Sequence, residues 1–375
     1  MNPNGPIGIY VHIPFCVRKC NYCDFLSFPA TEDVQENYVN SLCKQIDATD
    51  EDRSVASVYF GGGTPSVLDP SEIRRILCKL DDRFFLSKDA EITIEVNPGT
   101  VTERHLSTYR SVGINRLSIG AQSCHDRELK LLGRIHTAAD FFHTFRLARA
   151  EGFSNINVDI MTALPAQTEK TLQETLAMIA ELDPEHISAY SLILEENTPF
   201  HKRFSGEDRF LLPDEKLERA LYYMTRDFFV SRGYEHYEIS NFAKPGFFSR
   251  HNVSYWKRSD YIGLGLGASS LKNGERIKNT PDLNVYLEDP LSVEERTALT
   301  PKDCMEEFFF LGLRMMQGVS ESDFYACFGV DAMSVYGNVI AKLCYQGLLR
   351  REAGRIFLTD NGVDYGNYVF SSFLL

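Results

Sequence analysis

The chain has 375 residues, 43% hydrophobic and 24% charged, the balance of a folded globular protein and too apolar for a disordered one. Its formal net charge of -13 argues against nucleic acid as a partner, because that binding rests on Lys and Arg neutralising phosphates. No run approaches the roughly 18 apolar residues needed to span a bilayer, and "MNPNGPIGIYVHIPF" lacks a basic segment followed by an apolar one, so a soluble, cytoplasmic protein is expected.

Taken in chain order, short β-branched runs alternate with amphipathic stretches. "IGIYVHI", "VASVYF", "EITIEV", "NRLSIG", "INVDIM" and "HISAYSLIL" begin near residues 7, 55, 91, 115, 156 and 186. Helical periodicity is expected over 32–48, 70–82, 102–112, 137–151 and 168–181, and again after Pro213-Asp214, where Leu217, Leu221, Met224 and Phe228 recur at helical spacing and Gly233 stops the run. Strands separated by helices pair in parallel, so the expected fold class is α/β: a partial (β/α)6 TIM-type barrel, with a doubly wound sheet as the alternative. In either fold the chemistry gathers at the carboxyl ends of the strands.

From about residue 301 the texture becomes mostly helical: three helices, a hairpin around Ala353-Gly354 and a last helix, the order of a winged-helix module. Six Lys or Arg against nine Asp or Glu in that stretch make DNA binding a poor reading and packing or partner docking the better one. The expected organisation is a core over 1–238, a connecting segment over 239–300 and a smaller winged-helix-like domain over 301–375.

The first strand runs into "CVRKCNYCDF", three cysteines within eight positions and a phenylalanine, Phe25, two residues after the third. A structural tetrahedral metal site needs four protein ligands, so three thiolates leave a site open. Cys16, Cys20 and Cys23 suit one face of a cubane iron-sulfur cluster with a free iron. A zinc site completed by His12 or a distant residue is the competing reading. The other cysteines, Cys43, Cys78, Cys124, Cys304, Cys327 and Cys344, stand alone and are expected to be small core hydrophobes. After the second strand comes "GGGTP"; without Cβ atoms, Gly61, Gly62 and Gly63 let the backbone approach a ligand, and no Gly-Lys-Ser/Thr follows to make a P-loop.

The cysteine loop, "FGGGTPS" and the strand-helix series behind them resemble the radical S-adenosylmethionine superfamily over roughly residues 7–240. That resemblance implies a [4Fe-4S] cluster on Cys16, Cys20 and Cys23, with S-adenosylmethionine chelating the fourth iron through its amino and carboxylate groups. "YVHIPFCVRKCNYCDF", "YFGGGTPS", "EVNPGT", "RLSIGAQS", "LLGRIHT" and "VDIMTALPAQT" are similar, closer still, to the oxygen-independent coproporphyrinogen III oxidases and their sister group, the HemW-type heme chaperones. The resemblance places the S-adenosylmethionine contacts on Tyr10, Gly62, Gly63, Thr64, Glu95, Gln122, Arg134 and Asp159. Arg134 would pair with the methionyl carboxylate, Asp159 would accept from ribose hydroxyls, and Tyr10, beside the cluster, is the candidate catalytic residue.

The true oxidases carry a fourth cysteine where this chain has Phe25, and a long segment before the first strand, which here begins within about ten residues of Met1. "RHNVSYW" matches the HNxxYW motif of the chaperone group, which implies His251 as an axial heme ligand flanked by Tyr255 and by Trp256, the only tryptophan in the chain. "GLGLGASS" opens no helix after a strand and is read as a turn or as a place of cofactor approach. The resemblance thus implies a heme chaperone with a radical core, serving acceptor hemoproteins such as respiratory, membrane-associated ones, with a homodimer as a further expectation. The competing reading is the enzyme, in which a radical abstracts hydrogen from a propionate side chain of coproporphyrinogen III and drives its oxidative decarboxylation.

Overall fold

The computed structural model describes residues 5–374. Six parallel strands form its centre: β1 (Ile7–Ile13), β2 (Val55–Gly62), β3 (Leu86–Val96), β4 (Arg116–Gln122), β5 (Ile156–Thr162) and β6 (His186–Ser191), hydrogen-bonded in that order. Between and after them run α1 (Glu32–Ala48), α2 (Pro70–Arg83), α3 (Glu103–Ser111), α4 (Asp126–Leu132), α5 (Ala138–Ala150), α6 (Glu169–Ala180), α7 (Pro199–Phe204) and α8 (Glu215–Val230). The sheet stays open, as a partial barrel does. Its far edges come from residues 235–298, which form β7 (Glu235–Glu238), β8 (Asn241–Ala243), α9 (Arg250–Trp256), β9 (Tyr261–Leu264), β10 (Ser269–Lys272), β11 (Glu275–Asn279), α10 (Leu283–Glu288) and β12 (Val293–Ala298). β9 lies parallel against β1, with Gly8 opposite Tyr261, and β8 runs antiparallel to β6.

Period-two alternation sorts the strand residues into two populations. Ile9, Val11, Val58, Phe60, Ile94, Leu117, Ile119, Val158 and Ile160 pack into the main core under the helices. The alternate positions, including Tyr59, Glu95, Arg116, Ser118, Asn157, Asp159 and Ser188, line a cavity enclosed by the strands. Helix caps follow sequence chemistry: Asp69 accepts from Ser71 N ahead of Pro70, Thr137 and Asp140 form a capping box, and Asp214 accepts from Leu217 N. Of the six lone cysteines expected in a core, only Cys124 is buried; Cys43, Cys304, Cys327 and Cys344 are half-buried, and Cys78 departs furthest. It is exposed, because α2 buries Ile73, Ile76, Leu77 and Leu80 on its other face.

A second core, built on Phe309, Phe324, Tyr336 and Phe373, holds the C-terminal part. It contains α11 (Pro301–Gly312), α12 (Glu321–Phe328), α13 (Ala332–Tyr345), α14 (Asp360–Asp364) and α15 (Gly366–Ser371), with a small sheet of β13 (Val319–Ser320), β14 (Leu349–Glu352) and β15 (Arg355–Leu358). The hairpin turns through left-handed Ala353 and Gly354, as expected, while the single last helix is divided into two short ones.

Glu307 on α11 ties this part to the barrel. The residue is 6% exposed, and its carboxylate accepts from Arg258, itself 3% exposed, and from Arg276 Nη2 at 2.7 Å. Removing one partner of a buried pair leaves the other charge uncompensated. Glu307→Gln should therefore lower stability by about 3 kcal/mol, read as a fall in the urea midpoint; a loss below about 1 kcal/mol would show the pair to be no more than a surface contact.

Candidate functional site

The cavity inside the barrel has a volume of about 380 Å³. Cys16, Cys20 and Cys23 line it near Gly62, Gly63 and Thr64, at the carboxyl ends of β1 and β2. The cysteine loop is held by backbone bonds: Cys16 N to Phe28 O at 3.1 Å, Asn21 N to Leu132 O at 3.0 Å and Phe200 N to Asn21 O at 2.9 Å. Arg18 Nη2 donates to Gly133 O at 2.7 Å. Gly133 ends α4 in the left-handed region, and a Cβ there would lie 2.9 Å from the Asn21 side chain, so the loop and the α4 terminus fit only around glycine.

The glycine triplet packs more tightly than ligand approach alone requires. Gly62 has φ +111, and a Cβ on it would lie 2.5 Å from the His12 ring; one on Gly63 would lie 2.6 Å from Phe15 O. Gly63 N and Thr64 N donate to Ile13 O and Phe15 O at 2.8 and 2.7 Å, locking the second loop to the first. His12 supplies no fourth metal ligand, since its ring nitrogens meet Tyr10 Oη at 3.0 Å and Leu26 O at 2.9 Å. Among the described residues no three His, Cys, Asp or Glu converge on one point as a single metal ion requires. A cubane differs in that each thiolate takes its own iron.

One polar relay joins the loops to β3 and β4. Thr64 Oγ1 faces Cys16 Sγ at 3.6 Å and accepts from Asn97 Nδ2 at 3.1 Å. Arg134 donates to Asn97 Oδ1, to Gly120 O at 2.8 Å and to Cys20 Sγ at 3.7 Å. Its Nε is buried without a partner, so a guanidinium stands fixed beside a cluster thiol with a donor still unspent. That orphaned donor, the three thiols and the bare glycine backbone fit a [4Fe-4S] cluster with an anionic chelating ligand beside it.

Deeper in the barrel the carboxylates are shielded. Burial pushes Glu95 up to about 7, with the nearby Asp159 adding to the rise and a bond from Tyr59 Oη at 2.8 Å opposing it. Asp159 is also raised by burial, against bonds from Asn157 Nδ2 at 2.7 Å and Ser118 Oγ at 3.2 Å. Asn157 Oδ1 faces His186 Nδ1 at 2.6 Å, and His186 Nε2 faces Tyr237 Oη at 2.7 Å. With Asn157 donating through its amide to Asp159, its oxygen must accept, so His186 carries its proton on Nδ1 and receives from Tyr237.

Gly62, Gly63, Thr64, Glu95, Gln122, Arg134 and Asp159, all expected ligand contacts, do line this cavity. Gln122 holds a left-handed φ of 65 at the end of β4. Tyr10 does not share that wall. Its ring stands behind Tyr59, 6.4 Å between centroids, and its hydroxyl is taken by His12, so it reaches the site only through those two side chains. Sequence reasoning missed Arg116, Ser118, Asn157 and Ser188. Their signal was the alternation itself, since every second residue of "RLSIGAQ" and "INVDIM" faces inward once the outward set is apolar.

His251, expected as an axial heme ligand, has a protein partner at each ring nitrogen. It lies at the opposite end of the barrel, 1% exposed, with Nδ1 on Ser57 Oγ and Nε2 on Tyr255 Oη, both at 2.9 Å, and its ring stacked on Tyr59 at 5.2 Å. Burial, with Arg116 nearby, lowers its pKa to about 3, so it is neutral. Glu91 accepts from the backbone N of both Arg250 and His251, which seats α9 as a plug across the strand starts. In this arrangement neither ring nitrogen is presented to a ligand; an iron at His251 would have to displace Ser57 or Tyr255 and open the plug.

A family model described as the radical SAM superfamily matches residues 10–179, and one described as the HemN C-terminal domain matches residues 299–365. The heme chaperone HemW of Lactococcus lactis subsp. lactis (strain IL1403) is 36% identical over 99% of this chain and 98% of its own length. HemW of Bacillus subtilis (strain 168) is 34% identical, covering 97% and 98%, and HemW of Escherichia coli (strain K12) 34% identical, covering 98% of each. Among solved structures, the coproporphyrinogen III oxidase HemN from Escherichia coli superposes with a TM-score of 0.86 at 24% identity, over 99% of this chain and 91% of that one, a likeness of fold.

Glu95 supplies a test of the buried lumen. Its proton is held to about pH 7 in the folded chain but leaves near its ordinary value of 4.5 when unfolded. The folded state thus binds more protons between those values, and stability falls as pH rises through that window. Glu95→Gln does not titrate, so its stability relative to wild type should rise by on the order of 2 kcal/mol from about pH 5 to about pH 8, measured by denaturant unfolding without added ligand. A pH-independent difference would place Glu95 in contact with solvent.

Proposed function

We propose, for a chain that belongs to the radical SAM superfamily and within it to the HemW family of heme chaperones, that it binds heme in the cytoplasm and passes it to acceptor hemoproteins. The observation that carries this reading is the 36% identity to a heme chaperone over 99% of the chain. It is supported at residue 25, where Phe25 is 62% exposed on the wall of the cavity at the position that holds a fourth cysteine in the oxidases. In this reading residues 1–238 hold the cluster and nucleoside, 239–300 link the two parts, and 301–375 form the C-terminal domain. Self-association into a homodimer and a transient encounter with membrane-bound acceptors belong to the same proposal.

When bound, the cluster on Cys16, Cys20 and Cys23 supplies an iron with an open coordination position and a one-electron reductant. The chain's own side chains prepare that place. Arg134, fixed by Gly120 and Asn97, offers charge to a ligand carboxylate beside Cys20. Asp159, held by Asn157 and Ser118, presents a carboxylate to which ribose hydroxyls can donate. Gln122 and Thr64 supply polar contacts on the same wall, and Gly62 and Gly63 leave backbone exposed to the ligand's ammonium group. Tyr10 acts as a positioning residue through His12 and Tyr59. The α9 plug closes the lumen from the other end.

Two measurements test the reading together. Anaerobically reconstituted wild-type protein should take up iron and sulfide and change its spectrum when S-adenosylmethionine is added, and Cys20→Ala should lose most of that iron; unchanged iron in the variant removes the cluster from the proposal. The reconstituted protein should bind heme stoichiometrically and form no protoporphyrinogen IX from coproporphyrinogen III. Measurable anaerobic turnover would falsify the chaperone reading and return the oxidase in its place.

A further inference from the structure

The barrel cavity has a second polar end. β4 carries Arg116 at its first position and Gln122 at its last, so at about 3.3 Å per residue the two are anchored about 20 Å apart along the strand, and both line the cavity. Gln122 stands at the carboxyl end with the cysteine loop, and Arg116 at the floor, where its charge is felt by His251 of the α9 plug. The other arginines of the cavity wall, Arg18 and Arg134, belong to the cluster end, one bonded to Gly133 O and the other beside Cys20.

Arg116 is 2% exposed, yet among the described residues its side chain makes no hydrogen bond and no ion pair, and its Nε is enclosed without a partner. A guanidinium taken out of water and left uncompensated is strongly destabilising. The carboxylates nearest in the lumen are committed elsewhere: Glu95 accepts from Tyr59 Oη at 2.8 Å, and Asp159 accepts from Asn157 Nδ2 and Ser118 Oγ at 2.7 and 3.2 Å. Burial also favours the neutral form of both, which weakens them as counter-charges. Thr93, the register partner of Arg116 on β3, is fully buried and its hydroxyl too has no partner. Asn252 of α9 lines the same cavity, and among the described residues its side-chain amide makes no hydrogen bond.

A cation with two further unspent donors calls for an anion that accepts from all three. One uncompensated charge is balanced by a monoanion, whereas a phosphate dianion would leave a buried negative charge in its place. A carboxylate is the monoanion whose two oxygens match the planar guanidinium fork. We propose that Arg116, with Thr93 and Asn252, forms a carboxylate seat at the barrel floor, separate from the S-adenosylmethionine contacts, and that it takes a short aliphatic carboxylate, either free or as a propionate arm of bound heme. The heme source rests on the heme-chaperone reading and leaves the iron to His251, the neighbour of Asn252; the seat itself does not depend on that reading.

The test is urea unfolding of the full-length protein in sodium propionate against sodium chloride of equal ionic strength, for wild type, Arg116→Gln and Thr93→Asp. Thr93→Asp keeps the arginine and sets a carboxylate of the chain's own opposite it. Propionate should raise the wild-type midpoint in a saturable way, Arg116→Gln should lose that response, and Thr93→Asp should reach the saturated wild-type midpoint without propionate and gain nothing from it. A heme titration followed by the Soret band separates the two sources. Arg116→Gln should bind heme several-fold more weakly than wild type, and the dimethyl ester of heme, whose carboxylates are blocked, equally well, if the arm is heme's own; if it binds both as wild type does while propionate acts on wild type, the seat takes a free carboxylate. If wild type binds no heme, the chaperone reading fails and the propionate response alone decides the seat. A wild type indifferent to propionate, with Arg116→Gln changing the binding of heme and ester alike or not at all, overturns the seat, as does a propionate response equal in wild type and variants. Should Arg116→Gln fail to fold, an undiminished propionate response in Thr93→Asp overturns it.

Discussion

A barrel lumen lined with polar side chains is tolerated only if its buried donors and acceptors find partners within the protein or a ligand, and much of this structure follows from that constraint. The strands turn apolar residues outward to the helices and polar residues inward, where Asp159, Asn157, His186 and Tyr237 pass hydrogen bonds from one to the next. His251 belongs to the same arrangement, closing the lumen against Ser57 while its helix is seated by Glu91. The residues left incompletely satisfied are the informative ones. Nε atoms of Arg116 and Arg134 are buried without partners, and both side chains line the cavity, so positive charge is kept where an anionic ligand group can meet it.

Above this lumen the cysteine loop is placed by contacts that have nothing to do with sulfur. Gly133 lets the α4 terminus meet Asn21, Gly62 and Gly63 let the second loop close on His12 and Phe15, and the Arg134-Asn97-Thr64 relay ties both to the cysteine ends. The separate motifs of the sequence are therefore parts of one packed object. "LLGRIHT" serves the loop at Gly133 and the ligand side at Arg134, only one residue apart.

The legibility of this fold in the sequence was uneven, for physical reasons. Strand runs, helix caps and the cysteine spacing are local signals, and the parallel six-strand centre, the α11-to-hairpin order and the cavity residues at strand ends all follow from them. The short strands of residues 235–298 carry too few residues for periodicity to speak, and their pairing at both edges of the main sheet is decided by distant partners. Helix α4 was hidden because "DRELKLL" is barely two turns long. The direction of His251 was the least readable feature. A histidine beside two aromatics looks alike whether it faces a ligand or a serine, and only the placement of Ser57 and Glu91, some 160 residues or more upstream, distinguishes the cases.

Helix α9 is seven residues long and contributes to the walls of two chambers, the barrel cavity through Asn252 and a cavity lined also by Phe308 and Met315 of the C-terminal part through Trp256. So short a rod has no room to bend between those two side chains, and a tilt imposed at either end is carried whole to the other. Occupancy of the two chambers is coupled to the extent that either occupant tilts this rod, and thermodynamic reciprocity makes the coupling equal in both directions.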